Sequence, residues 1–94
     1  MAGLISDDLE NYISSHSESG GNVEKELRQE TLALGSSSGM MSGDSVGNFL
    51  KFIVKINKCK RVLEIGTFTG YSALMLASGL QENGELITCD INSE

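Results

Sequence analysis

In the first half of the chain, apolar residues recur every three or four positions, which is the spacing of an amphipathic helix. Leu9 and Ile13 follow this spacing, and Ser6 before them is a residue type that caps helix N-termini. A second pattern of this kind covers residues 23–34, after a polar stretch over 16–22. The sequence therefore predicts two N-terminal helices joined by a polar loop.

A third helix is predicted to begin at Asp44, with that residue as its N-cap. Its apolar stripe consists of Val46, Phe49, Leu50, Ile53 and Ile56. The preceding segment, 35–43, is rich in glycine and serine, which predicts a flexible loop. We assign residues 1–57 to an N-terminal helical region that contains this loop.

The second half of the chain follows the pattern of a strand, a helix and a second strand. Val62 to Ile65 is a short apolar run, a helical pattern follows from Tyr71, and Leu86 to Cys89 is a second apolar run. These elements span about 30 residues, the usual length of a βαβ unit. We predict an α/β fold in which residues 58–94 form the first βαβ unit of an incomplete sheet. Because two parallel strands leave both edges open, we expect the isolated chain to have a marginal or non-native fold.

The turn between the first strand and its helix contains the candidate chemistry. Glu64 stands near the end of the strand, and Gly66 and Gly70 follow four residues apart. A phosphate-binding P-loop needs a Lys and a Ser or Thr after its last glycine, and the chain has Tyr71 and Ser72 there, which excludes that motif. A dinucleotide loop has a glycine where this chain has Phe68, so a dinucleotide is disfavoured but stays open.

S-adenosylmethionine (SAM) suits this turn better than a dinucleotide, since it has a ribose, an adenine and a free ammonium but no phosphate. Glu64 and Asp90 would stand at the ends of the two strands. Carboxylates there can accept charge-assisted hydrogen bonds, and an acid after the second strand commonly binds both ribose hydroxyls. Each acid has a simpler interpretation: Glu64 as a solvent-facing strand end, and Asp90 as an ordinary turn residue.

The stretch from Leu63 to Asn92 resembles the class I SAM-dependent O-methyltransferases of the caffeoyl-CoA and catechol type, whose cofactor loop reads E-I-G-x-x-T-G-Y-S. Upstream, Leu27 to Thr31 resembles the L-R-x-x-T helix of that family, and Gly47 to Leu50 resembles its G-Q-F-L helix. The resemblance implies a Rossmann-like SAM-methyltransferase sheet. It also implies that the substrate contacts and the ligands of a divalent cation, usually Mg²⁺, lie beyond Glu94, so that this chain is an N-terminal part.

The resemblance implies roles for four residues near the methionine end of the cofactor. Glu64 would hydrogen-bond around the methionine moiety, and Gly66 and Thr67 would pass under it. Ser72, at the start of the helix, would contribute to the site of the methionine carboxylate, which a helix N-terminus favours electrostatically.

Three further residues are implied to bind the remainder of the cofactor. Asp90 would bind the ribose hydroxyls, and Met40 and Ser42 would close over the cofactor from the preceding loop. The resemblance assigns no catalytic base, nucleophile or metal ligand to this chain. In a complete enzyme it implies methyl transfer to a phenolic or catechol-type hydroxyl.

Composition narrows the range of partners. The 94 residues have a net charge of −6, which argues against nucleic acids and anionic membrane surfaces as partners. Cys59 and Cys89 form no C-x-x-C motif, which favours a reduced, cytoplasmic location. The resemblance leaves a homodimer open.

Two functional hypotheses follow. One is the cofactor-binding part of a SAM-dependent O-methyltransferase. The other is a truncated, catalytically inactive relative with at most an association role.

Overall fold

The structure, a computed structural model, describes residues 4–18, 20–35, 39, 41 and 43–93. The elements in these ranges are, in order, α1 (Asp7–Ser15), α2 (Asn22–Leu32), α3 (Asp44–Ile56), β1 (Arg61–Ile65), α4 (Tyr71–Gly79) and β2 (Glu85–Cys89). The two strands pair in parallel, with α4 as the crossover between them. The α/β fold and the βαβ unit predicted from the sequence are confirmed. The division at residue 57 stays a prediction.

The beginnings of α1 and α3 differ in how they are capped. The Ser6 hydroxyl accepts a hydrogen bond from the Leu9 amide at 3.2 Å, so the predicted cap of α1 is confirmed. The predicted cap of α3 is wrong, because Gly43 occupies the N-cap position and Asp44 is the first helical residue. The Asp44 carboxylate points to the Arg28 guanidinium of α2 instead of its own helix, at 2.7 Å.

Helices α3 and α4 pack closely through a glycine on each helix. A Cβ atom at Gly79 would lie 2.5 Å from the backbone oxygen of Lys51, and one at Gly47 would lie 2.9 Å from the Tyr71 hydroxyl. Val54 fills the same contact and is 4% exposed. The two glycines therefore allow an approach that larger residues would prevent.

The apolar stripe of α3 is mostly not in the core. Val46, Phe49, Ile53 and Ile56 are exposed, and only Leu50 is half-buried. The buried residues of α3 are instead Gly47 and Val54, which lie outside this stripe and pack against α4. Hydrophobic periodicity detects large side chains and gives no weight to a glycine at a helix crossing.

The sheet has one face toward the helices and one open face. On the side toward α4, Val62 and Leu86 are half-buried. On the other side, Leu63, Ile65 and Ile87 are 64%, 78% and 44% exposed. This geometry is the basis for expecting marginal stability, which stays a prediction. Within the described part of the chain, no helix is both long and apolar enough to cross a membrane.

Candidate functional site

The turn between β1 and α4 adopts a conformation that requires its glycines. Gly66 has φ +95° and Gly70 has φ +93°, in the left-handed region that side chains with a Cβ atom disfavour. No atom lies within 4 Å of the position that a Cβ at either glycine would occupy, so the constraint is the backbone angle and not crowding. Phe68 also lies in this region, at φ +50°, although it is not a glycine.

Three backbone amides bind the Asp90 carboxylate. Its Oδ2 accepts hydrogen bonds from the amides of Thr67 at 2.8 Å and Phe68 at 3.0 Å, and its Oδ1 accepts one from Asn92 at 2.9 Å. These amides, that of Asn92 first, lower the pKa of the Asp90 carboxyl from its ordinary 3.8 to about 2. Asp90 is therefore ionised at neutral pH, and it fixes the turn that contains the left-handed Phe68.

The Glu64 carboxylate receives a hydroxyl on each of its two oxygens. Ser72, in the first turn of α4, donates to Oε2, and Thr88 of β2 donates to Oε1 at 2.9 Å. Glu64 is half-buried, and its neighbour across the parallel ladder is Thr88. Two elements besides its own strand thus orient this carboxylate.

A continuous chain of hydrogen bonds connects the two acids. The hydroxyls of Thr67 and Thr88 are 2.7 Å apart. Thr88 has one hydroxyl proton and gives it to Glu64, so Thr67 donates to Thr88. The Thr67 amide is bound to Asp90. We call the sequence Asp90–Thr67–Thr88–Glu64–Ser72 the acid-linking chain.

Four of the five residues of the acid-linking chain are ones to which the resemblance gave a cofactor role. The fifth, Thr88, was missed by sequence reasoning. The available signal was its position two residues before Asp90 on β2. In a parallel pair that aligns the two strand ends, this position is opposite Glu64.

A cleft of about 430 Å³ lies over the turn, within the size range of small-molecule sites. Its walls include Glu64, Gly66, Phe68 and Ser72, with Met41 from the preceding loop. The structure therefore brings Glu64, Gly66, Thr67 and Ser72 together at one cleft, with Asp90 bound to the turn that forms its wall. Met40 and Ser42 lie outside the described residues, so their predicted role remains a prediction.

The N-terminal helices hold the start of α4 through a charged contact. The Tyr71 hydroxyl donates to Asp44 Oδ1 at 2.8 Å, and the Arg28 guanidinium binds the same oxygen at 2.7 Å. The Arg28 guanidinium also lies 4.5 Å from the centre of the Tyr71 ring, a cation–π distance. Tyr71 is 4% exposed, and burial raises the pKa of its phenol above 10.0.

A second contact from α2 reaches the turn itself. The Thr31 hydroxyl lies 2.7 Å from the Leu27 carbonyl oxygen and 2.9 Å from the Thr69 hydroxyl. Thr31 is the donor in both contacts and has one hydroxyl proton, so it donates to one of these two acceptors at a time. Thr31 is 1% exposed and Thr69 is half-buried, so this polar contact is largely shielded from water. The position of the glycine turn thus depends on α2 as well as on the two strands.

Among the residues that the structure describes, no group of three or more His, Cys, Asp and Glu side chains is arranged to hold a metal ion.

Comparisons with known proteins agree with this geometry. The model of the O-methyltransferase family matches residues 14–94. A caffeoyl-CoA O-methyltransferase of Populus kitakamiensis is 42% identical over 90 residues, which cover 93% of this chain and 38% of that protein. The O-methyltransferase from Bacillus cereus, solved in complex with SAH, gives a TM-score of 0.82 at 28% identity, covering 92% of this chain and 39% of that one.

A third comparison is with TomG, an O-methyltransferase from Streptomyces achromogenes solved in complex with SAM. It gives a TM-score of 0.75 at 27% identity, covering 86% of this chain and 36% of that one. The chain thus spans well under half the length of these relatives. Because the family match extends over most of its residues, the chain belongs to the O-methyltransferase family.

Proposed function

We propose that the cleft binds SAM and that the chain is the cofactor-binding part of a SAM-dependent O-methyltransferase. The observation that carries the proposal is the arrangement of the two acids. Glu64 lines the cleft near the end of β1, and Asp90 follows β2 and holds the glycine turn. The two acids are connected through the Thr88 hydroxyl and through the hydroxyl and backbone amide of Thr67. In parallel α/β sheets, ligands bind outside the carboxyl ends of the strands, which is where both acids lie.

The residues at the cleft fit the chemical groups of SAM. The Glu64 carboxylate can accept further hydrogen bonds from an ammonium, since a carboxylate has about four acceptor positions and two are used here. The open space at Gly66 lets a ligand approach the backbone of the turn. The backbone amides in the first turn of α4, that of Ser72 among them, offer donors to a carboxylate, whereas the Ser72 hydroxyl proton already goes to Glu64. To accept the ribose hydroxyls, Asp90 would have to share its oxygens with the amides that it already binds.

The reaction that we propose for the whole protein is methyl transfer to a phenolic or catechol-type hydroxyl. SAM supplies the methyl group, and the residues of this chain contribute by holding it in place, which is catalysis by positioning. The divalent cation, the small-molecule phenolic substrate, a homodimer and a cytoplasmic location belong to the same proposal. No residue of the chain is assigned to the cation or to the substrate.

Calorimetric titration of the 94-residue chain with SAM tests the proposal. We expect binding at one site, and we expect Glu64→Gln to weaken it about tenfold or more, because a charge-assisted bond to the ammonium is lost. Glu82→Gln is the matched control, since Glu82 is exposed and lies outside the cleft. Absence of binding, or equal affinity of the two variants, would contradict the proposal. Binding of NAD in place of SAM would support the dinucleotide alternative.

A second candidate function, association with another protein, rests on the open face of the sheet. Leu63, Ile65 and Ile87 form an exposed apolar surface there. Apolar surfaces of this kind mark contacts with other protein elements. Light scattering at rising protein concentration tests this candidate: a mass above that of one chain, abolished by Ile87→Lys without loss of SAM binding, would favour it, since Ile87 does not line the cleft. A constant monomer mass would exclude self-association.

A further inference from the structure

We propose that Thr88 is a positioning residue of this site, which orients Glu64 and couples it to Asp90 through Thr67. The inference deepens the proposed function and rests on it for its consequence, which is the affinity for SAM. The hydrogen bonds of Thr88 to Glu64 and Thr67 are present in the ligand-free chain, so they can be tested without SAM.

The strand register puts Thr88 in place. Glu64 and Thr88 are partners across the parallel ladder, as are Val62 and Leu86 two residues earlier. Side chains alternate between the two faces of a sheet, so Thr88 shares the face of Leu86, and Glu64 shares that of Val62. This common face is the half-buried one toward α4, so the hydroxyl meets the carboxylate at 2.9 Å.

Each hydroxyl has one proton, and this fixes which groups donate and which accept around Glu64. Both hydroxyls that reach Glu64, from Ser72 and from Thr88, donate to it, because a carboxylate only accepts. Thr88 then accepts a hydrogen bond from the Thr67 hydroxyl. Thr67 is therefore a donor to Thr88 and does not compete with Glu64 for the Thr88 proton. Threonine also has a stiff χ1 angle, so its hydroxyl is held in a fixed direction. Together these features favour one orientation of the Glu64 carboxylate in the absence of ligand.

Thr67 transmits this arrangement to the second acid. Its hydroxyl contacts Thr88 at 2.7 Å, while its backbone amide donates to Asp90 at 2.8 Å. A change at Thr88 should therefore be felt at the Thr67 amide as well as at Glu64. Thr88 itself is exposed, so a change there should have little effect on the stability of the fold.

Two variants separate the hydroxyl from the shape of the side chain. Thr88→Val keeps the branched shape and removes the donor, whereas Thr88→Ser keeps the donor and removes a methyl group. In the ligand-free chain, we expect Thr88→Val to shift the carboxyl carbon resonance of Glu64 and the amide resonance of Thr67. We expect Thr88→Ser to leave both near their wild-type positions, and both variants to unfold at nearly the wild-type temperature.

With SAM, Thr88→Val should weaken binding about three- to tenfold, because a hydrogen bond to a charged group at a partly exposed site is lost. Thr88→Ser should restore the affinity to within about twofold. Thr67→Val, one link further away, should have a smaller effect at Glu64, because Thr88 can still donate to it.

The outcomes distinguish this inference from the proposed function. If the wild-type chain gives a dispersed spectrum that SAM does not change, the proposed function fails, and the ligand-free resonances still decide the role of Thr88. If SAM binds but Thr88→Val leaves Glu64, Thr67 and the affinity unchanged, the inference is wrong and the function stands. Equal effects of Thr88→Val and Thr88→Ser would also overturn the inference. A wild-type spectrum without dispersion would overturn it too, since the contact between Thr88 and Glu64 would then be absent.

Discussion

Replacing Tyr71 with phenylalanine removes a single oxygen from the contact that joins α2, α3 and α4. The aromatic ring stays in place, so its burial and its cation–π contact with Arg28 are retained. The lost interaction is the hydrogen bond from the hydroxyl to the Asp44 carboxylate, 2.8 Å long. The variant therefore isolates one polar contact without opening a cavity at the start of α4.

The structure gives the size of the effect. Hydrogen bonds to charged groups contribute about 1.5–3 kcal/mol when both partners are desolvated. Tyr71 is 4% exposed, but the side chain of Asp44 is 71% exposed and keeps the Arg28 guanidinium as a partner. The free energy of unfolding should accordingly fall by about 1 kcal/mol, less than the range for a fully buried pair. For a domain of this size, that corresponds to a drop in Tm of about 4–8 °C.

Urea unfolding followed by far-ultraviolet circular dichroism measures this change. Tyr12→Phe is the matched control, because Tyr12 is 61% exposed and the same atom is removed. The control should unfold at the wild-type urea concentration, and Tyr71→Phe at a lower one with the same slope. Equal midpoints for the two variants would refute the reasoning, since the buried hydroxyl would then contribute nothing to stability.

The pH dependence gives a second check on Tyr71. Burial raises the pKa of its phenol above 10.0, so the folded chain holds this proton more tightly than the unfolded chain does. As the pH rises from 10.0 through the raised pKa, the unfolded chain binds fewer protons, and wild-type stability should fall. In Tyr71→Phe this contribution is absent, so its stability should fall less over the same range. A parallel decline in both proteins would contradict the assignment.

Three further changes test other parts of the structure. Gly79→Ala should lower the free energy of unfolding by about 1–3 kcal/mol despite the better helix propensity of alanine, because its Cβ would meet a backbone oxygen at 2.5 Å. Gly39→Ala, which lies outside the α-helices and where a Cβ meets nothing within 4 Å, is the control, and equal urea midpoints would refute the close helix contact. The pKa of the Asp90 carboxyl is depressed in the folded state, so Asp90 adds stability above pH 3.8 that is lost as the pH falls toward about 2. Asp90→Asn should remove this contribution. Unfolding midpoints at pH 3 and pH 6 measure this, and an unchanged pH dependence would contradict it. Thr31→Val should lower the free energy of unfolding by about 1 kcal/mol, since the hydrogen bond from Thr31 to the Thr69 hydroxyl is lost, and Thr31→Ser should recover most of that loss in the same urea assay.

The features that sequence reasoning located correctly are local ones. Ser6 caps α1 because a serine before a helix binds the amide three residues on, a contact within one turn of chain. Gly66 and Gly70 have left-handed backbone angles within the turn that the sequence predicts between strand and helix, and glycine adopts such angles readily. Glu64 reaches the cleft because it stands near the end of its strand. Each of these outcomes depends on neighbours in the sequence.

The features that sequence reasoning missed depend on contacts between distant segments. Asp44 was expected to cap its own helix, but the Arg28 guanidinium and the Tyr71 hydroxyl, from two other helices, bind its carboxylate. The packed side of α3 depends on a glycine that matches another on α4, which no hydrophobic pattern reveals. Thr88 becomes significant only when the parallel register aligns it with Glu64. Local chemistry could be read from the sequence, whereas the partners supplied by the fold could not.

The central claim is that the glycine turn and its two acids form a cofactor site, and a two-dimensional amide NMR spectrum with and without SAM tests it most directly. We expect SAM to shift the resonances of Glu64, Gly66, Ser72 and Asp90, while those of α1, remote from the cleft, stay in place. A spectrum that SAM leaves unchanged, or one in which α1 shifts as much as the turn, would contradict the claim.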